Sequence, residues 1–269
     1  MYLPPHNGSI GVFDSGIGGL SVANAISGLL PRESILYVAD NANAPYGART
    51  GGEVLDFSRR ITDRLLSAGV KMVVVACNTA TSMAIDTLRE LYPEVPFVGL
   101  EPAVKPAATG KRVGVMATAV TLRSPRYLAL REKYLAGRSI WENPCVDLVP
   151  LIETYGPGSP QITQYLERLL SSAGPLDTVV LGCTHYPLVG KDIAALLPEG
   201  ARVIDPSGAA ARQVERLLIK GQMLALDEQL PSRYDFVSTG GGVPLQRTLY
   251  TLERLNAARR WVVPNFSVS

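Results

Sequence analysis

The chain has 269 residues, of which 46% are hydrophobic and 19% charged, and its formal net charge is +2. This is the composition of an ordinary globular protein, long enough for one large or two modest domains. The small charge and the lack of a dense Lys/Arg cluster do not indicate a nucleic-acid partner. No apolar run approaches the roughly 20 residues of a membrane-spanning helix, so we expect no membrane association.

The amino-terminal sequence MYLPPHNGS lacks a basic segment followed by an apolar one and does not predict a secretory signal. The three cysteines are an odd number and do not predict a disulfide framework. A reducing compartment suits free thiols, and we therefore expect a cytoplasmic protein.

Strand-like and helix-like segments alternate along the chain. In the first part, strands are predicted at 9–13, 34–39 and 71–76, and helices up to about residue 30, at 53–68 and at 79–92. After the proline-rich stretch 93–106 the pattern restarts, with strands at 112–116, 178–181 and 202–204 and helices at 121–135, 161–172 and 208–220. A last strand is predicted at 234–238 and a last helix at 244–257.

This alternation predicts an α/β fold with open, mostly parallel sheets. The restart predicts two similar lobes with a boundary near the proline-rich stretch. In open α/β sheets, ligands bind outside the carboxyl ends of the strands. We therefore expect the active site in a cleft between the two lobes.

Two cysteines lie at the ends of apolar runs and precede small hydroxylated residues, in VVVACNTATS (Cys77) and VVLGCTHYPL (Cys183). Each pattern predicts a buried strand followed by a helix, which places the thiol near a helix amino terminus. The helix dipole and the free backbone N–H groups there lower the pKa of a thiol. The repeated context suggests two thiols that face one substrate from opposite sides.

The glycine loop DSGIGGLS follows the first predicted strand. Gly16 and Gly18, with Asp40 at the end of the second strand, partly fit a dinucleotide-binding fingerprint. Against this, Ser21 takes the last glycine position, and Asp14 would put a carboxylate where a pyrophosphate should lie. Asp14 is better explained as a partner for an ammonium group or as an aid to proton transfer.

His185 stands two residues after Cys183, where it could exchange a proton with the thiol or orient it. The alternative is a histidine packed at a helix start, and His6 lies in the amino-terminal tail. Cys77, Cys183 and His185 would also make a three-ligand zinc set, but no paired ligand spacing supports a metal. Cys145 is predicted to be a small packing residue.

Other polar residues lie near these positions. Asn78, Thr79 and Thr184 are predicted at the first helical positions, where they would bind a carboxylate or serve only as caps. The Pro45–Gly47 segment by itself predicts a turn. Glu153 is either a buried acid or a surface glutamate at a helix start.

Taken together, these segments resemble the glutamate racemases, which belong to the cofactor-independent amino-acid racemases. The resemblance runs from residue 11 to about 211, with YDFVSTG near the end. It is carried by the stretches GVFDSGIGGLSV, YVADNANAPYG, VVVACNTATS, VGLEPAVKPA, GVMATAVTLRSP, LVPLIE, LGCTHYPLV and IDPSGAAA. The stretch ENPCVDLVP and the carboxyl-terminal STGGGVPLQ depart from the family's usual form.

The resemblance implies that Cys77 and Cys183 are the two acid/base thiols, aided by Asp14 on one side and by His185 and Glu153 on the other. The residues implied to hold the substrate are Asp14, Ser15, Pro45, Tyr46, Gly47, Asn78, Thr79, Thr118, Thr184 and His185. It further implies a first lobe of residues 1–98 with segment 208–269 returning to it, and a second lobe of 99–207. The implied activity interconverts L- and D-glutamate for peptidoglycan synthesis, without cofactor or metal.

Alternatives remain open at this point. The same scaffold would suit a racemase for aspartate or another small amino acid, or an amino-acid-binding protein without catalysis. The implied partner is a small-molecule substrate, and a homodimer is left open.

Overall fold

The computed structural model describes residues 8–225 and 232–240. Its strands are β1 Ile10–Asp14, β2 Ile35–Ala39, β3 Met72–Val75, β4 Phe97–Gly99, β5 Arg112–Ala117, β6 Ser139–Asn143, β7 Thr178–Gly182, β8 Arg202–Ile204 and β9 Tyr234–Ser238. Its α-helices are α1 Leu20–Leu29, α2 Gly51–Ser67, α3 Asn78–Leu91, α4 Val104–Ala107, α5 Ala119–Arg123, α6 Pro125–Leu135, α7 Leu148–Tyr155, α8 Pro160–Ser171, α9 Gly190–Ala195 and α10 Ser207–Lys220.

The chain divides into two compact units. The first unit runs to Leu100 and resumes at Ser207, and the second unit is Glu101–Pro206. Because β4 runs through Gly99, the boundary predicted after residue 98 falls inside a strand of the first unit.

The first unit is built on a five-stranded parallel sheet in the order β4-β3-β1-β2-β9. Helices α1 and α10 pack together on one face, where Val12 meets Leu20 and Val214 in one buried cluster. Helices α2 and α3 cover the other face, where Phe13 belongs to a cluster with Leu65. Because both faces are covered, β1, β2 and β3 are buried throughout, which explains their unbroken apolar sequences.

The second unit has a four-stranded parallel sheet in the order β6-β5-β7-β8. Strands β5 and β7 form its centre, and helices α4 and α6 pack on one face through a buried cluster that includes Val113, Tyr127 and Val180. Counted along the chain, β5 to β8 have the same spatial order as β1 to β4. The predicted parallel α/β fold with two similar lobes is confirmed.

One predicted helix needs correction, and several elements were not predicted. The helix predicted over 121–135 is two helices, α5 and α6, because Ser124 has extended backbone and Pro125 begins a new helix. The proline-rich stretch contains β4 and α4, and β6 and α7 were not predicted. The helix predicted at 244–257 and His6 lie outside the described residues.

Candidate active site

Both sheets place a cysteine at the same topological position. In the first sheet, β1 and β3 are neighbours, and the chain runs from β1 to β2 on one flank of this pair and from β3 to β4 on the other flank. In the second sheet, β5 and β7 are the neighbouring pair, and they lead in the same way to β6 and β8 on opposite flanks. The carboxyl ends of such a central pair form the crevice where open α/β sheets bind ligands. Cys77 follows β3 in the first unit, and Cys183 follows β7 in the second.

Strand register in the first unit brings Ser15 beside Cys77. Phe13 pairs with Val75 in the parallel register of β1 and β3. Two residues further along each chain, this register puts Ser15 level with Cys77. The Sγ atom of Cys77 is 4.0 Å from the Oγ atom of Ser15, and both side chains are more than nine-tenths buried.

Asp14, the last residue of β1, is fully buried. Its Oδ2 atom accepts a 2.8 Å hydrogen bond from the backbone N–H of Gly19, directly before α1. A methyl group at Gly19 would lie 2.7 Å from Cβ of Asp14 and 2.8 Å from Oη of Tyr37, so this position has no room for a side chain. The Asp14 carboxylate thus occupies the helix start that a dinucleotide-binding loop offers to a pyrophosphate.

Cys77 is the N-cap of α3, and its Sγ atom accepts from the backbone N–H of Ala80 at 3.5 Å. Asn78 and Thr79 open the helix, as predicted, and both are buried. The Asn78 amide donates to the carbonyl of Leu100 at 3.1 Å, while its own Oδ1 atom has no partner among the described residues. A buried acceptor of this kind is available to a ligand that carries N–H groups.

The predicted turn contains a cis Ala44–Pro45 peptide and a short 3-10 helix that starts at Tyr46. Tyr46 is buried, whereas Pro45 and Gly47 are exposed. The Tyr46 hydroxyl donates to Oδ2 of Asp40 at 2.6 Å. Burial, with the nearby charges of Asp40, Cys77 and Asp14, raises the pKa of Tyr46 above its ordinary value, so the phenol stays protonated.

The chain after Cys183 differs from the prediction. Thr184 and His185 lie in a turn, a 3-10 helix spans Tyr186–Val189, and α9 starts only at Gly190. Pro187 has no N–H to donate, and the turn closes with short-range bonds such as Tyr186 N–H to the carbonyl of Cys183. The prediction that Thr184 occupies a first helical position was therefore wrong.

His185 and Glu153 form a partly buried pair in the second unit. The His185 side chain is almost fully buried, and its Nε2 atom is 2.8 Å from Oε1 of Glu153, which projects from α7. Burial alone would lower the pKa of His185. Hydrogen bonds to Cys183 and Glu153 and the negative charges of these groups outweigh burial and hold the pKa well above the ordinary value.

Two buried residues near this turn, Tyr186 and Cys145, were not predicted to lie close to each other. Tyr186 is fully buried, and burial with the charges of Cys183 and Cys145 raises its pKa. Cys145 is buried, as predicted for a packing residue, and burial raises its pKa to about 12. These two residues are far apart in the sequence, and α7, which was not predicted, lies between them, so their contact could not be predicted.

Thr118 follows β5, the neighbour of β7. Its hydroxyl caps α5 by accepting from the N–H of Thr121 at 3.3 Å. The structure thus gathers the sequence-predicted residues at the carboxyl edge of each sheet, with Asp14, Ser15, Tyr46, Cys77, Asn78 and Thr79 in the first unit and Thr118, Glu153, Cys183, Thr184 and His185 in the second.

Within residues 8–225 and 232–240, no group of three His, Cys, Asp or Glu side chains is arranged to hold a metal ion. Among the helices of these same residues, none is both long and apolar enough to cross a membrane.

Comparison with known proteins extends this picture. A sequence model of the Asp/Glu/Hydantoin racemase family matches residues 19–214. The chain is 47% identical to glutamate racemase from Pseudomonas aeruginosa over 231 residues, which cover 84% of this chain and 87% of that protein.

Solved structures agree with the sequence relatives. Escherichia coli glutamate racemase, crystallised with L-glutamate, is 32% identical, with a TM-score of 0.81 over 94% of this chain and 96% of that one. Francisella tularensis glutamate racemase, crystallised with D-glutamate, is 28% identical, with a TM-score of 0.78 over 96% of this chain and 97% of that one. The chain therefore belongs to the Asp/Glu/Hydantoin racemase family, and within it to the glutamate racemases.

Proposed function

We propose that this protein interconverts L- and D-glutamate by a two-base mechanism in which Cys77 and Cys183 exchange protons with the substrate α-carbon. The similarity to glutamate racemases over most of the chain supports the activity. The role proposed for the two thiols rests on one observation, their placement in the fold. Each follows the third strand of a repeated four-strand order, at the switch point of its sheet.

Racemisation requires that a proton leave one face of the α-carbon and that another arrive on the opposite face. A thiolate removes the first proton, so that a C–H bond breaks and an S–H bond forms. The second thiol supplies its proton, so that an S–H bond breaks and a new C–H bond forms. Two thiols that exchange these roles serve both directions, which one base cannot do as readily.

In the first unit, Asp14 would assist Cys77 by pairing with the substrate ammonium group or by accepting its proton. The unpartnered Oδ1 atom of Asn78 is a second acceptor for that ammonium group. The backbone N–H groups at the start of α3, with the side chains of Ser15 and Thr79, would bind a carboxylate. The Pro45–Gly47 turn would complete the substrate contacts, with the Tyr46 phenol protonated.

In the second unit, His185 would assist Cys183. A histidine whose pKa is raised carries a proton at neutral pH and stabilises a neighbouring thiolate. Glu153 orients the ring through its bond to Nε2. Thr118 and Thr184 would bind a carboxylate of the substrate. Donors arranged in advance could stabilise the carbanion-like transition state by about 3 kcal/mol or more.

We propose further that the enzyme acts in the cytoplasm and supplies D-glutamate for peptidoglycan. The three cysteines are free thiols, which suits a reducing compartment.

The test is a chiral assay of L-glutamate turnover in deuterated water without added cofactor, for the wild type and for Cys77→Ser, Cys183→Ser and Cys145→Ser. We expect each of the first two variants to lose two-way racemisation. At least one should still exchange the α-proton of a single enantiomer. Cys145→Ser is the matched control and should keep most of the activity.

Full two-way turnover in Cys77→Ser or Cys183→Ser would contradict the assigned roles. The same assay with aspartate addresses the alternative substrate, because faster turnover of aspartate would replace glutamate in the proposal. Binding of glutamate without turnover would instead indicate an amino-acid-binding protein.

A further inference from the structure

A cavity lies beside α2 in the first unit, next to the Tyr46 turn, since its lining residue Asp40 accepts a hydrogen bond from Tyr46. Its volume is about 260 Å³, and none of its lining residues belongs to the predicted catalytic or substrate-binding set. A molecule of liquid water takes up roughly 30 Å³, so the cavity has the volume of about nine water molecules. It therefore fits a small organic molecule rather than a single ion.

One wall of the cavity carries two positive charges. Arg60 and Arg64 stand four residues apart on α2, so their side chains share one face of the helix. Arg60 lies over the ring of Phe57, 5.3 Å from its centroid, which restricts the guanidinium in advance of binding. Its ion pair with Asp56, at 3.4 Å, is exposed and so contributes little, which leaves the guanidinium able to bind an anion.

The lining also contains polar residues that already form hydrogen bonds with one another. Asp40 is almost fully buried, and it accepts hydrogen bonds from the side chains of Asn43, Tyr46 and Thr239. These donors occupy both carboxylate oxygens and partly offset the negative charge of Asp40, which by itself would oppose an anion in the cavity. Asn43 and Thr239 also line the cavity and present polar groups to the rest of a ligand.

Phe57 and Ile61 add apolar surface to the lining. Two guanidinium groups one helical turn apart offer several charge-assisted donors to one oxyanion. We propose that this cavity is a second ligand site, which binds a small organic oxyanion of the phosphomonoester type through Arg60 and Arg64. A carboxylate would offer the same chemistry with less charge.

The test is isothermal titration of the full-length protein at low ionic strength, which limits screening of exposed charges. Glycerol 3-phosphate is the probe, glycerol is the neutral control, and glycerate is the carboxylate arm. We expect glycerol 3-phosphate to bind at one site per chain and glycerol not to bind. Tighter binding of glycerate would support the oxyanion site and identify the carboxylate as its ligand group.

Variants locate the binding. The double variant Arg60→Gln/Arg64→Gln should weaken glycerol 3-phosphate binding by about ten-fold or more, because two charge-assisted contacts are lost. Arg59→Gln is the matched control, since Arg59 is the neighbouring residue, also pairs with Asp56, and does not line the cavity. It should bind as the wild type does.

Three results would overturn the site: no binding to the wild type, unchanged binding by the double variant, or an equal loss in Arg59→Gln. If the double variant does not fold, the side-chain amide resonance of Asn43 in the wild type provides the second readout. It should shift on titration, and an unmoved resonance would count against the site. Racemisation without anion binding would refute this site and leave the proposed function intact.

Discussion

Gly19 is a glycine because a buried carboxylate and a phenol leave no space for a side chain. Replacement by alanine would put a methyl group 2.7 Å from Cβ of Asp14 and 2.8 Å from Oη of Tyr37, so one of them must move. We expect Gly19→Ala to destabilise the protein by about 1–3 kcal/mol and to reduce racemisation by displacing Asp14. Chemical denaturation and the chiral assay measure the two effects.

Gly28 is the control for this prediction. It lies in the same helix, α1, and a methyl group there would meet no atom within 4 Å apart from the adjoining backbone of its own helix. Gly28→Ala should leave activity unchanged and stabilise the protein by about 0.5–1 kcal/mol, since alanine favours helices. Equal behaviour of the two variants would show that Gly19 is not constrained by Asp14.

The raised pKa of His185 predicts a pH-dependent stability. A group whose pKa is higher in the folded protein stabilises it fully below the unfolded value, about 6.5, and loses that contribution as pH rises through the folded pKa. The free energy of unfolding of the wild type, relative to His185→Asn, should therefore fall as pH rises above about 6.5. Urea denaturation across this range measures the difference.

Glu153→Gln provides the comparison, because it preserves the size of the side chain and removes its charge. It should lower the folded pKa of His185 and move the loss of stability to lower pH. If wild type and His185→Asn gave parallel stability curves, the imidazole would not carry the proton assigned to it.

At the scale of single residues, candidate site residues could be predicted from the sequence and the contacts that support them could not. Cys77, Cys183 and Asp14 could be singled out because each is a polar residue that ends an apolar strand. The role of Asp40 could not be predicted, because one of its partners, Thr239, comes from a distant part of the chain. Hydrogen bonds between remote segments leave no pattern in local sequence.

Among the elements, the interruption between α5 and α6 depends on Ser124. Its buried hydroxyl donates to the carbonyl of Thr121 at 2.8 Å and accepts from the N–H of Tyr127 at 3.2 Å. Ser124→Ala removes both bonds, and we expect a loss of about 1–2 kcal/mol in the free energy of unfolding.

Ser159 offers a matched control at the start of α8. It is also an N-cap residue followed by proline, but its hydroxyl makes no capping bond and has no partner among the described residues. Ser159→Ala should change the free energy of unfolding by less than about 0.5 kcal/mol. A comparable loss in both variants would mean that the serine hydroxyl does not account for the stability of α6.

Elements with strong periodicity or long apolar runs were predictable, and short or partly exposed ones were not. Strand β4 has three residues within a proline-rich stretch, and β6, with the sequence SIWEN, is an edge strand in which no residue is fully buried. Helix α7 is short, and its apolar residues resemble a strand as much as a helix. In these cases the surrounding fold, more than local preference, determines the structure.

For the whole molecule, the repeat of β1 to β4 in β5 to β8 places both thiols at equivalent positions although the sequences of the two units differ. Strand order depends on which segments are apolar and on right-handed crossovers, so it is preserved when individual residues change.

The first unit is made from two separated parts of the chain, and its stability should depend on the returning part. Leu218 of α10 is fully buried in the cluster that contains Leu20 of α1, whereas its neighbour Ile219 is 57% exposed. We expect Leu218→Ala to lower the free energy of unfolding by about 2–5 kcal/mol and Ile219→Ala to change it by less than about 0.5 kcal/mol.

Hydrogen exchange measured by mass spectrometry shows which elements lose stability in the Leu218→Ala variant. Because each unit has its own core, Leu218→Ala should speed exchange in β1 and β2 and leave exchange in β5 and β7 close to that of the wild type. Faster exchange in both sheets to the same extent would mean that the two units unfold as one cooperative body. The returning helix would then stabilise the whole chain and not the first unit alone.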